Sequence, residues 1–262
     1  MKKKYLIYAK TPTPVLNTPD FSSVWGGTTG YTLAMDKKKH VRAYEFVALK
    51  GTAFKILKET TLDSYSVYQV ASLCYPSNTP IYIDSRFTTD KPIKTNNNLP
   101  STNELIKKML ALEGVSYIWG GNWSLGVEKI MTYYPPSQKL DLLTNKTWMM
   151  QGIDCSGLLY EATSGFTPRN TSTLLNFGHH LTIKNKSAKK IISLLKPLDL
   201  IIFPGHVIVI INQNEVIESK EGKGVIRSSL TKIIEELLSM KTTENFKLNN
   251  RNDYFVIKRW KK

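Results

Sequence analysis

Three apolar runs follow one another late in the chain with almost nothing between them: Leu200–Phe203, His206–Ile211 and Val216–Ser219. Pro204-Gly205 separates the first two, and a stretch around Asn212-Gln213-Asn214 separates the second pair. Connections this short join antiparallel neighbours, because a parallel crossover needs about a dozen residues or more. An antiparallel sheet is therefore expected here. A short helix is expected just upstream, over Cys155–Ser164 with Gly165 behind it. An amphipathic helix over Leu230–Met240 and a last strand over Tyr254–Trp260 follow. A helix followed by antiparallel strands makes the fold class α+β.

The first third reads differently. Tyr5–Tyr8, Val41–Leu49, Ala53–Leu57, Tyr65–Ala71 and Ile81–Ile83 are short runs rich in Val, Ile, Tyr and Phe, punctuated by Gly, Pro, Asn and Asp. Such spacing suits a small β-barrel. Asp90, Pro92, three consecutive Asn and Pro100 mark a linker. Ser101-Thr-Asn-Glu104 then has the form of a capping box, opening a helix with Leu105, Met109 and Leu112 on one stripe and Gly114 at its end. The expected division is a β domain over residues 1–90, a linker over 91–100 and an α+β domain over 101–262. Val115–Gly121 reads as a strand, and about 122–153 as a surface excursion inserted in the second domain.

Composition limits the partners. Lys and Arg number 36 against 21 Asp and Glu, giving +15, a field that attracts anions over about 8–10 Å in physiological salt. No zinc-finger, homeodomain or RNP pattern accompanies the lysines, so no specific nucleic-acid partner is expected. Two cysteines, Cys74 and Cys155, are too few for a disulfide scaffold. The apolar run Tyr5–Ala9 is shorter than the roughly 7–15 residues of a signal-peptide core, and no run approaches the roughly 20 residues of a membrane span. The expectation is a cytoplasmic protein with no membrane span. The pattern sets no oligomeric state.

Chemistry gathers around Asp154-Cys155-Ser156-Gly157. A thiol at a helix start meets unpaired N–H groups and the positive end of the dipole, which favour the nucleophilic thiolate. His206 opens an apolar strand behind Pro204-Gly205, where backbone pairing would hold it as a base. A third group should orient the imidazole. With a three-residue loop at Asn212-Gln213-Asn214, Ile211 faces Glu215, and Glu218 falls on the face of His206 at a diagonal of two. With a two-residue loop Glu218 points away. The alternatives are an inert buried cysteine, a turn histidine with a satisfied hydrogen bond, and an exposed glutamate. His179-His180 lack a Cys or acidic partner at ligand spacing and read as a polar loop rather than a metal site. Cys74 reads as core filler.

The ordered set resembles the NlpC/P60 cysteine peptidases. It comprises Tyr117-Ile-Trp119-Gly120-Gly121, Asp154-Cys155-Ser156-Gly157, Pro168-Arg169, Lys196-Pro-Leu-Asp199-Leu-Ile-Ile-Phe203, His206-Val207 and Glu218. The likeness covers roughly Thr102 to Trp260. It implies a papain-like catalytic domain, with the helix-borne Cys packed on an antiparallel sheet. The amino-terminal half is similar to a bacterial SH3-like module, a common companion in that family. It further implies hydrolysis of the γ-D-glutamyl–diamino acid bond of peptidoglycan stem peptides through an acyl-enzyme, with no cofactor and no metal. Cys155 would attack, His206 would serve as base and then acid, and Glu218 would orient it. Tyr117 would help bind the oxyanion, while Asp154, Ser156 and Thr171 match positions that contact the amino end of short free peptides. Arg169 would be structural.

Three departures stand out. Glu218 replaces the usual His, Asn or Gln, and its charge would raise the pKa of His206. The segment between Gly121 and Asp154 is much longer than usual. Leu198 and Leu174 replace a family glycine and glutamine. Two rival readings are an amidase or acyltransferase on the same fold, distinguished by its products, and a non-catalytic wall-binding protein, in which Cys155→Ala would change nothing.

Overall fold

The computed structural model describes residues 6–95, 98–240, 242–243 and 254–261. Tyr5, expected to begin the first strand, lies outside them. The chain packs as two compact units, residues 1–97 with 116–154 and residues 98–115 with 155–262.

In the first unit, seven antiparallel strands run in the order Tyr44–Ala48, Thr13–Leu16, Ile81–Asp84, Ser66–Ala71, Ala53–Thr61, Leu6–Ala9 and Thr88–Thr89. Thr13–Leu16 is an addition to the expected set. Pro14 argues against a strand interior because it lacks an N–H. Here all four residues pair with Tyr44–Ala48 on one side, while the other side pairs through Leu16 alone, so the missing donor is tolerated.

The segment 122–153 differs most from expectation. It is no surface excursion. Val127, Ile130, Tyr134, Trp148 and Met150 are buried in one cluster with Phe21, Trp25, Tyr44 and Val47. Two short helices, Lys129–Tyr133 and Leu142–Trp148, carry Ile130 and Trp148, and the other three flank their ends. Polar groups tie the segment in: the Trp25 indole donates to the Trp148 carbonyl at 2.9 Å, and the Tyr134 hydroxyl donates to Asp84 at 2.7 Å. Asn122 behaves as a strand partner for Val47, accepting from its N–H and donating to its carbonyl, each at 2.8 Å. Val115–Gly121 is not a strand either; its chain turns at Trp119-Gly120. Gly120 has φ +72°, and a Cβ there would lie 2.7 Å from the Tyr44 carbonyl oxygen. The paired glycines thus answer to crowded backbone rather than to a strand end.

The second unit has the expected α+β form. Its sheet runs His179–His180, Tyr254–Arg259, Leu200–Phe203, His206–Ile210, Glu215–Lys220, Gly224–Ser229, all antiparallel, with Thr242–Thr243 parallel to Tyr254–Arg259. Exposed His179 and His180 therefore form an edge strand rather than a loop. Ile201, Ile208, Ile210, Val216, Phe255 and Ile257 cluster with Ile191, Leu230, Ile234 and Leu237 of helices Ala188–Leu194 and Leu230–Met240, and with Leu195 at the end of the first. The helix Cys155–Ala162 is almost wholly buried and lies against strands His206–Ile210 and Glu215–Lys220. The helix Thr102–Leu110 opens with the full capping box: the Glu104 N–H donates to Ser101 and the Ser101 N–H to Glu104. Gly114 takes φ +85° and donates to the Val225 carbonyl at 2.9 Å.

Candidate active site

The turn between Phe203 and His206 has proline first and glycine second, with φ +78° at Gly205, as a type II turn requires. It delivers His206 to the first position of its strand. The next loop has three residues. Val209 pairs with Ile217, Ile210 with Val216, and the Ile211 N–H donates to the Glu215 carbonyl. In this register Glu218 lies on the face of His206, and their side chains meet, Nε2 to Oε2 at 2.6 Å. The pair is well shielded, with side-chain exposures of 17% for His206 and 3% for Glu218.

Cys155, the first residue of its helix, is buried and is a free thiol, as is Cys74. Its sulfur lies 3.7 Å from Thr171 Oγ1 and 3.6 Å from the carbonyl oxygen of Gly205. Cys155 is also among the groups that raise the pKa of His206. Burial alone would lower the pKa of His206. The bonds to Cys155 and Glu218, with the charges on both, outweigh burial and push it up to about 9. At neutral pH the ring therefore favours its protonated form, and the neighbouring thiol can supply that proton. Such a group stabilises a thiolate beside it and can later protonate a leaving group.

Cys155, Thr171, His206 and Glu218 thus come together within one unit. Ser156 is buried beside Cys155, and its hydroxyl accepts from Arg169 at 2.9 Å. That bond gives both side chains a structural partner.

Asp154 and Tyr117 belong to the first unit. The Asp154 N–H donates to the Gly121 carbonyl at 2.8 Å. The Tyr117 ring lies 6.0 Å from that of His40, which stacks on Trp119 at 5.6 Å. The Arg42 guanidinium covers Trp119 at 4.1 Å and pairs with Asp36 at 2.5 Å. Asp36 is held down to about 2 by the His40 N–H and Arg42. The surroundings of Tyr117 had no sequence signal, since nothing along the chain ties residues 36–42 to it. The Gly205 carbonyl is also new, and the Pro204-Gly205 turn was the one hint of it.

No family model matches the chain, and no curated protein matches it. Among solved structures it is similar to an NlpC/P60 family protein from Bacillus cereus ATCC 10987, with 17% identity, 99% of this chain covered and a TM-score of 0.38. The chain spans 64% of the length of that protein. It is also similar to the P60 domain of an antigen from M. avium paratuberculosis, with 20% identity over 49% of this chain and 82% of that one, TM-score 0.33. A third similar structure is RipD from Mycobacterium tuberculosis, described as a non-catalytic NlpC/p60 domain protein adapted to peptidoglycan binding. It shows 16% identity over 60% of this chain and 95% of that one, TM-score 0.34. Likeness this distant leaves the chemistry to be argued from the site itself.

Proposed function

We propose that the chain is a cysteine peptidase hydrolysing the γ-D-glutamyl–diamino acid amide bond of peptidoglycan stem peptides, the diamino acid being meso-diaminopimelate or lysine. The observation that carries the reading is the imidazole of His206 held at 2.6 Å by the buried Glu218 carboxylate, while Cys155, on the adjoining helix, helps to raise its pKa. A structural histidine has no need of both partners, and a structural cysteine has no need of an imidazolium. The bond attacked follows from the likeness of the ordered motifs to the NlpC/P60 peptidases.

In this reading Cys155 passes its proton to His206, and the thiolate attacks the glutamyl carbonyl carbon. The resulting oxyanion is met by the Cys155 backbone N–H. His206 returns the proton to the amine as the C–N bond breaks, leaving a thioester on Cys155. Water, deprotonated by His206, then attacks the thioester and the sulfur leaves. Asp154, Ser156 and Thr171 are read as contacts for the amino end of the peptide. The strands of the first unit are read as an SH3-like module, and the second unit as the papain-like catalytic domain.

The test is incubation of the protein with L-Ala-γ-D-Glu-meso-diaminopimelate, followed by mass spectrometry, with Cys155→Ala alongside. Release of free diaminopimelate by the wild type alone is the expected result. An uncleaved peptide and an identical Cys155→Ala sample would overturn the reading for this substrate.

A further inference from the structure

We propose that Thr171 is a further catalytic residue, whose hydroxyl donates to the Cys155 sulfur and holds it as the thiolate once its proton has passed to His206. The inference rests on the peptidase reading, yet it can be tested without the substrate.

Two polar atoms besides His206 approach the sulfur: Thr171 Oγ1 at 3.7 Å and the Gly205 carbonyl oxygen at 3.6 Å. A carbonyl oxygen only accepts, so Gly205 takes the single S–H proton of the neutral thiol. A hydroxyl can donate or accept. With the S–H directed at Gly205, Thr171 is left as the donor. The two contacts then respond oppositely to ionisation. When the proton moves from Sγ to the ring, the Gly205 contact loses its hydrogen and sets a lone pair against the new charge. The Thr171 contact becomes a charge-assisted hydrogen bond and strengthens. Glu218 holds Nε2 of His206, which leaves Nδ1 as the ring nitrogen for that proton. The charged groups of this unit tied to Cys155 or to its neighbour Ser156 are His206, Glu218 bonded to it, and Arg169, bonded to Ser156. Asp154 precedes Cys155 in the chain. Thr171 is the uncharged donor among them.

Local structure fits the role. Thr171 opens the short helix Thr171–Leu174, anchored by fully buried Leu174. A β-branched side chain is stiff at χ1, so the hydroxyl direction is set before the reaction begins. A contact for the substrate alone would not have to aim at the sulfur.

The experiment is the rate of Cys155 alkylation by iodoacetamide against pH, read by mass spectrometry of the Cys155 peptide so that Cys74 does not interfere. Thr171→Val keeps the shape and removes the donor, and Thr171→Ser keeps the donor. The midpoint should rise by about one pH unit in Thr171→Val, equivalent to about tenfold less thiolate below it, and stay at the wild-type value in Thr171→Ser. If Thr171→Val fails to fold by circular dichroism, Thr171→Ala takes its place with the same expectation. An unchanged midpoint in the donor-less variant would overturn the proposal. So would a raised KM for the peptide with unaltered alkylation, which would make Thr171 a substrate contact. A wild type that cleaves no peptide would remove the peptidase reading, while the alkylation midpoints would still decide whether Thr171 holds the thiolate.

Discussion

Replacing Glu218 by Gln removes one charge from the site and little else, because the two side chains have nearly the same shape and both carry an acceptor oxygen. In the wild type the carboxylate meets His206 Nε2 at 2.6 Å with only 3% of its side chain exposed. Taking the charge centres about 4 Å apart at an effective dielectric of about 20, the attraction is about 4 kcal/mol, or about three pH units on the imidazole. Burial pulls the other way, and the balance with Cys155 included is a pKa of about 9 against the ordinary 6.5. Without the carboxylate charge, His206 should titrate at about 6. The shift also fixes a stability effect. A histidine whose pKa is raised on folding contributes stability fully below the unfolded pKa of about 6.5, and loses it as pH rises through about 9. The whole rise corresponds to about 3 kcal/mol. With the carboxylate's attraction of about 4 kcal/mol removed, wild-type stability relative to Glu218→Gln should shrink by up to about 4 kcal/mol between pH 6 and pH 10. The assay is a ¹³C-histidine NMR titration. The chain has four histidines, and the signal missing from His206→Asn identifies the one that matters. The alkaline limb of kcat/KM should move down with the same midpoint. A midpoint still above about 8 in Glu218→Gln would refute the assignment of the shift to this carboxylate.

Three substitutions test the packing inside the two units. Gly120→Ala forces a Cβ within 2.7 Å of the Tyr44 carbonyl oxygen at φ +72°; it should cost about 2–4 kcal/mol and lower Tm by roughly 5–10 °C in a calorimetric scan. Asn122→Ala strands the buried N–H and carbonyl of Val47, and urea unfolding should report a loss of about 2–4 kcal/mol. Leu198→Gly sets two effects against each other. Relief of the left-handed backbone at φ +68° returns about 1–2 kcal/mol, but losing a side chain that is 1% exposed costs about 2–5 kcal/mol. The variant should therefore be less stable by denaturant midpoint, even though glycine stands there in the family the motifs resemble.

What could be read in advance depended on local rules. The strands Leu200–Phe203, His206–Ile210 and Glu215–Lys220 were legible because unbroken apolar runs met turns with fixed chemistry. The capping box was legible for the same reason. The segment Asn122–Ile153 was not. Its buried residues Val127, Ile130, Tyr134, Trp148 and Met150 are spaced too widely to show a helical period in two helices of five and seven residues. Their burial comes from residues about a hundred positions away, such as Trp25 and Tyr44, which no window along the chain can register. Val115–Gly121 failed in the opposite sense. Its apolar and aromatic content has strand propensity, but the close approach of Gly120 to Tyr44 and of Gly121 to Gly152 overrides it.

Among these elements, the position of Glu218 is hardest to explain by packing. It pairs with Ile226 on one side, and the register set by Val209–Ile217 and Ile210–Val216 carries Ile208 opposite it on the other. A carboxylate between two isoleucines inside a sheet is costly to bury, and an apolar residue there would serve the fold as well or better. The residue directly across from His206 in that register is Lys220, whose charge would oppose an imidazolium. The diagonal is thus the place from which a side chain of this strand can hold the ring with a negative charge, and the three-residue loop Asn212-Gln213-Asn214 is what puts position 218 on that diagonal. A loop one residue shorter would reverse the parity and turn Glu218 to the other face. The geometry of the pair therefore follows from a turn length, while its energetic cost is offset only by keeping His206 charged beside Cys155.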